Sequence, residues 1–216
     1  GQDTVNVTAT GSLAGGINTG AEDDTISISS TVGGLVSTGT GDDEVTLNGA
    51  DVTGGGVNTG ADADDVTIQN AVSGNVDGGS EDDTFTLAAS ASLNGAITGG
   101  TGSDLITGTD AAIFEINGLN SGLLIGTSTT FGGVDSLAGG GDDDTFRFAG
   151  GSLEGRIDGG GGDNTLLGAD GGTADAITLT GDNQVTTNVT GTTLPGGTLD
   201  DVTNIQNIDL RAGDDT

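Results

Sequence analysis

The sequence predicts an all-β chain: a right-handed parallel β-solenoid, of the β-helix or β-roll kind, with about 20 residues per coil and roughly ten coils. Three observations predict it. An aspartate recurs every 19–21 residues, a short apolar–polar–apolar run follows it, and an apolar–x–Gly–x–apolar run precedes the next glycine-rich corner.

The recurring residue stands two places ahead of an apolar one, as Asp3, Asp24, Asp43, Asp64, Asp83, Asp104 and Asp144, with Asn164 once in its place and Asp215 in the same phrase at the end. Successive intervals are 21, 19, 21, 19 and 21 residues, then 40 (two coils), then 20 to Asn164. After it come Val5-Asn6-Val7, Ile26-Ser27-Ile28, Val45-Thr46-Leu47, Val66-Thr67-Ile68, Phe85-Thr86-Leu87 and Phe146-Arg147-Phe148. This period of two marks a strand with one buried face. Counting back by two from Leu87 and Phe85 reaches Asp83, so the aspartate belongs on the buried face.

The second run reads Leu13-Gly15-Ile17, Val32-Gly34-Val36, Val72-Gly74-Val76, Leu93-Gly95-Ile97 and Leu153-Gly155-Ile157. Two short strands and two glycine corners describe one coil, which buries its apolar side only against its neighbours. No stretch carries a sustained helical period with cap signals. The chain reads as a single solenoid segment over residues 1–216, with irregular coils or excursions near 107–138 and 168–200, where the phrase breaks down.

Composition limits function. There are 33 acidic residues against three arginines (Arg147, Arg156, Arg211), no Lys, His, Cys, Tyr or Trp, and a net charge of −30. Nucleic acids and anionic membranes need basic patches, so neither is an expected partner. Nor does any apolar run reach the length that would insert in a membrane. Cations are the expected small partners.

The corners ahead of the aspartate are TGAEDDTI (19–26), TGTGDDEV (38–45), GGSEDDTF (78–85), GGTGSDLI (99–106), GGGDDDTF (139–146) and GGGGDNTL (159–166). They resemble the calcium-binding nonapeptide of RTX proteins, Gly-Gly-x-Gly-x-Asp-x-apolar-x. Gly99-Gly100-Thr101-Gly102-Ser103-Asp104-Leu105-Ile106 fits every named position. Elsewhere Thr19, Thr38 or Thr59 stands for the first glycine, and Glu22, Glu81 or Asp142 for the third. The resemblance implies calcium as cofactor, with Asp3, Asp24, Asp43, Asp64, Asp83, Asp104, Asp144, Asn164 and Asp215 as the residues that would hold it. Calcium takes six to eight oxygen ligands, and carboxylates stacked about 4.8 Å apart repel by about 0.9 kcal/mol even in water. The alternative is that each aspartate hydrogen-bonds N–H groups of its own turn, which Asn164 fits equally well. The adjoining acids Asp23, Asp42, Asp82, Asp143, Asp163 and Asp214 read as a solvated outer face.

The stretch 111–138, the phrase FGGVDSLAGGGDDDTFRFAGGSLEGRIDGGGGDNTLL (131–167) and the ending VTNIQNIDLRAGDDT also resemble modules of giant repetitive bacterial surface proteins. These are the adhesin-like and filamentous-haemagglutinin-like β-solenoids. The resemblance implies a structural or adhesive segment, extracellular or at the cell surface. Acids that recur in every coil, without a histidine, lysine or tyrosine, argue against an enzyme, whose catalytic pair should be local. A polysaccharide-active β-helix enzyme and a carbohydrate- or ice-binding surface are the alternatives. Gly1-Gln2-Asp3-Thr4 and Gly213-Asp214-Asp215-Thr216 share one phase of the corner. The expected partners are therefore copies of itself or adjacent repeats stacked head to tail, with surface glycans second.

Overall fold

The computed structural model describes residues 1–168, 177–179, 189–190, 197–199 and 201–209. The chain is all-β, with no helix among the described residues, and forms a parallel β-solenoid of about eight turns at a spacing of about 21 residues. That is fewer turns than the ten expected. It divides into two compact units, Gly1–Ile106 with Thr127–Gly133, and Thr107–Gly126 with Val134–Thr216.

In the first unit the strands that follow the aspartates stack in parallel: Thr4–Val7, Thr25–Ile28, Glu44–Leu47, Asp65–Ile68 and Thr84–Leu87. Register places Ile26, Val45, Val66 and Phe85 in one inward column and Ile28, Leu47, Ile68 and Leu87 in the next, all buried. A second ladder holds Ile17–Ala21, Val36–Thr40, Val57–Ala61, Val76–Ser80, Ala96–Thr101 and Thr130–Gly132. A third side, absent from the two-strand expectation, lies between them. It consists of the bridges Leu13–Val32 and Val32–Val52, and the short strands Ala71–Ser73 and Ser92–Asn94. The glycine of the apolar–x–Gly–x–apolar run is the reason. At Gly34 a Cβ would lie 2.4 Å from the Gly16 nitrogen, so the chain bends there against the coil below, and Val32 and Val36 fall on different sides.

The glycines of the corner lie inside the second ladder. Gly39, Gly60, Gly79 and Gly100 stack in register with φ between 115° and 120°. Each closes directly on the carbonyl of the one before.

In the second unit Ile113–Gly118, Thr145–Phe148, Thr165–Leu167 and Asn207–Asp209 form one parallel ladder, and Ser136–Ala138, Arg156–Asp158 and Asp201–Thr203 another. Phe114 stacks on Phe146, with centroids 5.3 Å apart and planes 9° from parallel. The neighbouring outward pair, Glu115 and Arg147, forms an ion pair at 3.2 Å. The stretch expected to be irregular near 107–138 contains a hairpin: Ser121–Leu124 runs back antiparallel to Ile113–Gly118, turning at Asn120 with φ 47°. Most of 168–200 lies outside the described residues.

The glycine column yields a prediction. A Cβ on Gly60 would meet the Gly39 carbonyl oxygen at 2.2 Å, whereas one on Gly49, φ 69°, meets nothing within 4 Å. Gly60→Ala should cost roughly 3 kcal/mol or more, from strain plus overlap, and Gly49→Ala about 1 kcal/mol from the backbone alone. Urea unfolding of the two variants compares them directly.

Candidate functional site: the aspartate corner

At the corner the chain changes direction, and a strand N–H that would meet a carbonyl in the next coil has none. The aspartate side chain replaces that carbonyl. The Asp3 N–H donates to Asp24 Oδ1 at 2.6 Å, Asp24 N–H to Asp43 Oδ1 at 2.7 Å, and Asp43 N–H to Asp64 Oδ1 at 2.9 Å. Asp64 N–H reaches Asp83 Oδ1 at 3.0 Å, and Asp83 N–H reaches Asp104 Oδ1 at 2.9 Å. One residue further on, backbone pairing resumes, with the N–H of Thr25, Glu44, Asp65, Thr84 and Leu105 donating to the carbonyls of Asp3, Asp24, Asp43, Asp64 and Asp83. In the first unit these bonds to the marker aspartates thus run between coils, whereas in the second Asp144 also accepts the Gly140 N–H of its own turn, as the simpler expectation had it.

The parity argument holds: Asp24, Asp43, Asp64 and Asp83 are each 2 % exposed or less, in line with the core columns, and Asp104 is fully buried. Asp3 differs, donating its N–H while its side chain is exposed. Asp215 lies outside the described residues.

In the second unit the row continues with substitutes. Ala112 N–H donates to Asp144 Oδ1 at 2.5 Å and Gly140 N–H to Oδ2 at 2.8 Å. Asp144 N–H donates to Asn164 Oδ1, and Asn164 N–H to Gln206 Oε1, both at 2.7 Å. Ala112 and Gln206 escaped the sequence reading, Ala112 because its backbone alone takes part, and Gln206 because the period fails ahead of it. The Asn164 amide nitrogen in turn donates to the carbonyls of Gly161 at 2.8 Å and Asn204 at 3.0 Å.

Asp23, Asp42, Asp82, Asp143 and Asp163 are exposed as expected, and the first four also accept hydrogen bonds; Asp214 lies outside the described residues. Asp23 Oδ1 accepts the Asp42 N–H at 3.2 Å, Asp42 Oδ1 the Ala63 N–H at 3.2 Å, and Asp82 Oδ1 the Ser103 N–H at 2.8 Å. In the second unit Asp143 Oδ1 accepts the Asp163 N–H at 2.7 Å. These bonds run up the stack, opposite in sense to the inner row.

The inner carboxylates are only half committed. Oδ2 of Asp24, Asp43, Asp64 and Asp83 is buried without a hydrogen-bond partner. Burial pushes Asp83 up to about 7 and Asp64 up to about 6, against the single N–H that each accepts from the coil below. Burial likewise raises Asp144. Asp158 shows the contrasting case. It is also desolvated, but hydrogen bonds led by the Asn204 amide at 2.7 Å hold its carboxyl below the usual range.

Calcium fits the corner by donor type, and any further oxygens would have to come from backbone carbonyls and water. Each inner coil offers one uncommitted carboxylate oxygen, where calcium takes six to eight oxygens. Among the described residues no three acidic side chains converge as a metal shell.

Asp43→Ala should cost about 1–3 kcal/mol by orphaning the buried Asp24 N–H, while Asp42→Ala on the outer row should stay within about 0.5 kcal/mol. Thermal melting of the pair checks this. Comparison with known protein families, characterised proteins and solved structures finds no match, so the surface-protein and RTX resemblances rest on the sequence phrases alone.

Proposed function

We propose that this chain is a structural segment of a secreted or cell-surface repeat protein: an adhesin, fibre or surface-layer component. The supporting observation is that its acids do the same job in every coil, joining one coil to the next. Thr4–Val7 pairs through Thr25–Ile28, and Val5 and Val7 remain half exposed. A further coil, from an adjacent repeat or a copy of the chain, fits that surface, since an unpaired parallel edge templates its own continuation.

Sedimentation over rising concentration should show species growing in whole multiples of the chain, and uronate polymers should not be turned over. A strictly monomeric protein would remove self-stacking from this reading, and turnover would replace it with the enzyme.

Calcium at the corner is a second reading, favoured by the uncommitted oxygens of Asp24, Asp43, Asp64 and Asp83. It predicts a melting temperature that climbs with free calcium by mass action. An identical melt in chelator and in millimolar calcium leaves the corner its hydrogen bonds alone.

A further inference from the structure

The first unit contains no lysine, arginine or histidine, and the charges that act most strongly on Asp64 and Asp83 are all acidic. The titratable groups around Asp83 include Asp64, Asp104 and Asp77, and those around Asp64 include Asp43, Asp42 and Asp83. All are acids. An ionised inner row would stack like charges with nothing between them.

The position facing each inner carboxyl is occupied by a donor wherever the sequence supplies one. In the early coils it is threonine: the Thr38 hydroxyl donates to the Thr59 carbonyl at 2.7 Å, and the Thr59 hydroxyl to the Gly78 carbonyl at 2.9 Å. At Asn164 it is the amide nitrogen, donating to the Asn204 carbonyl at 3.0 Å. Where glycine replaces threonine, the carboxyl moves into the vacated space. Asp83 Oδ2 lies 2.2 Å, and the Gly99 carbonyl oxygen 2.9 Å, from the point where a Cβ on Gly78 would sit. The corresponding point on Gly159 lies 2.6 Å from Asn164 Nδ2 and 2.1 Å from the Asn204 carbonyl oxygen, and that pair is hydrogen bonded. Asp83 Oδ2 thus stands where the homologous side chain donates, facing an acceptor.

Two acceptors cannot bond without a proton between them. We propose that Asp83 and Asp64 take up a proton on Oδ2 in the folded chain in mild acid and release it as pH rises through neutrality, so that this pair is a proton-binding element that tightens the coil stack in acid and loosens it as pH rises. Asp83 donates to the Gly99 carbonyl. Once protonated, Asp64 would donate to the nearby Thr59 hydroxyl, whose own proton goes to the Gly78 carbonyl; with Asp64 ionised the same contact favours the carboxylate, and burial outweighs it. The raised pKa values agree in sign. A folded pKa above the unfolded one makes the native state bind the extra protons, so stability is greatest near pH 4 and falls as pH climbs through about 6 and 7. The inference rests on the stacked coils and not on the extracellular role, so its failure would leave the structural function standing.

The test is carboxyl-carbon NMR of the intact chain, read beside melting curves. Asp83 and Asp64 should titrate at least one unit above an ordinary aspartate, and the melting temperature should fall by about 5 °C or more between pH 5 and pH 8. General charge repulsion gives the same sign of melt, so variants separate the two. Asp83→Asn supplies the donor permanently and should raise the pH 8 melt while flattening its pH dependence. Asp82→Asn removes the same charge without that gain. Asn164→Asp should create a new acid-favoured dependence in the second unit. Titration of Asp83 near 4 overturns the proposal, whatever the variants do. So does a pH 8 melt rescued by calcium in the wild type and not in Asp83→Asn, since a cation would then fill the proton's place.

Discussion

In-register stacking governs this molecule: in the described parallel ladders each inner-coil residue lies against its counterparts one coil above and one coil below. For apolar side chains that is favourable without further adjustment, as in the columns Ile26–Val45–Val66–Phe85 and Ile28–Leu47–Ile68–Leu87. For glycine it allows backbones to close in at positive φ, as at Gly39, Gly60 and Gly79. For aspartate it is costly, because a carboxylate meets another carboxylate in a buried place. The row persists because the corner leaves a strand N–H without a carbonyl, and an unsatisfied buried N–H costs about as much as the repulsion it would avoid.

Much of this was legible in the sequence, and the reason is the same register. A strict 19–21-residue period with period-two strands fixes which residues share a column, and parity alone placed Asp83 beside Phe85 and Leu87 inside. What the period could not convey was direction. Both Asp82 and Asp83 accept backbone N–H groups from other coils, one from above and one from below, and only coordinates separate the two. The third side of the coil was hidden because Val32-Gly33-Gly34-Leu35-Val36 reads as a single alternating strand. The hairpin at Ile113–Leu124 was hidden for a different reason, since its apolar content matches two coils as well as it matches a strand pair. Gln206 takes the place of aspartate by using its side-chain carbonyl, a chemical equivalence that a search for acids misses.

The inner and outer acids lie one residue apart and have opposite physical consequences. Asp42 and Asp82 stay in water, where their charges are screened within about 10 Å at 0.1 M salt and the hydrogen bonds they accept compete with solvent. Asp64 and Asp83 are removed from water, so their ionised form is disfavoured twice, by desolvation first and then by the neighbouring acids. Salt should therefore relieve the outer row and leave the inner row almost untouched. The inner row answers instead to whatever places a donor or a positive charge at Oδ2. The asparagine amide of Asn164 is one such donor already present in the chain, bonded to the Asn204 carbonyl where a buried carboxylate would otherwise face it. Asn164 is then not a lapse in the repeat. It is the coil in which the sequence has made permanent, by an amide, the neutral donor that the other coils can have only by binding a proton.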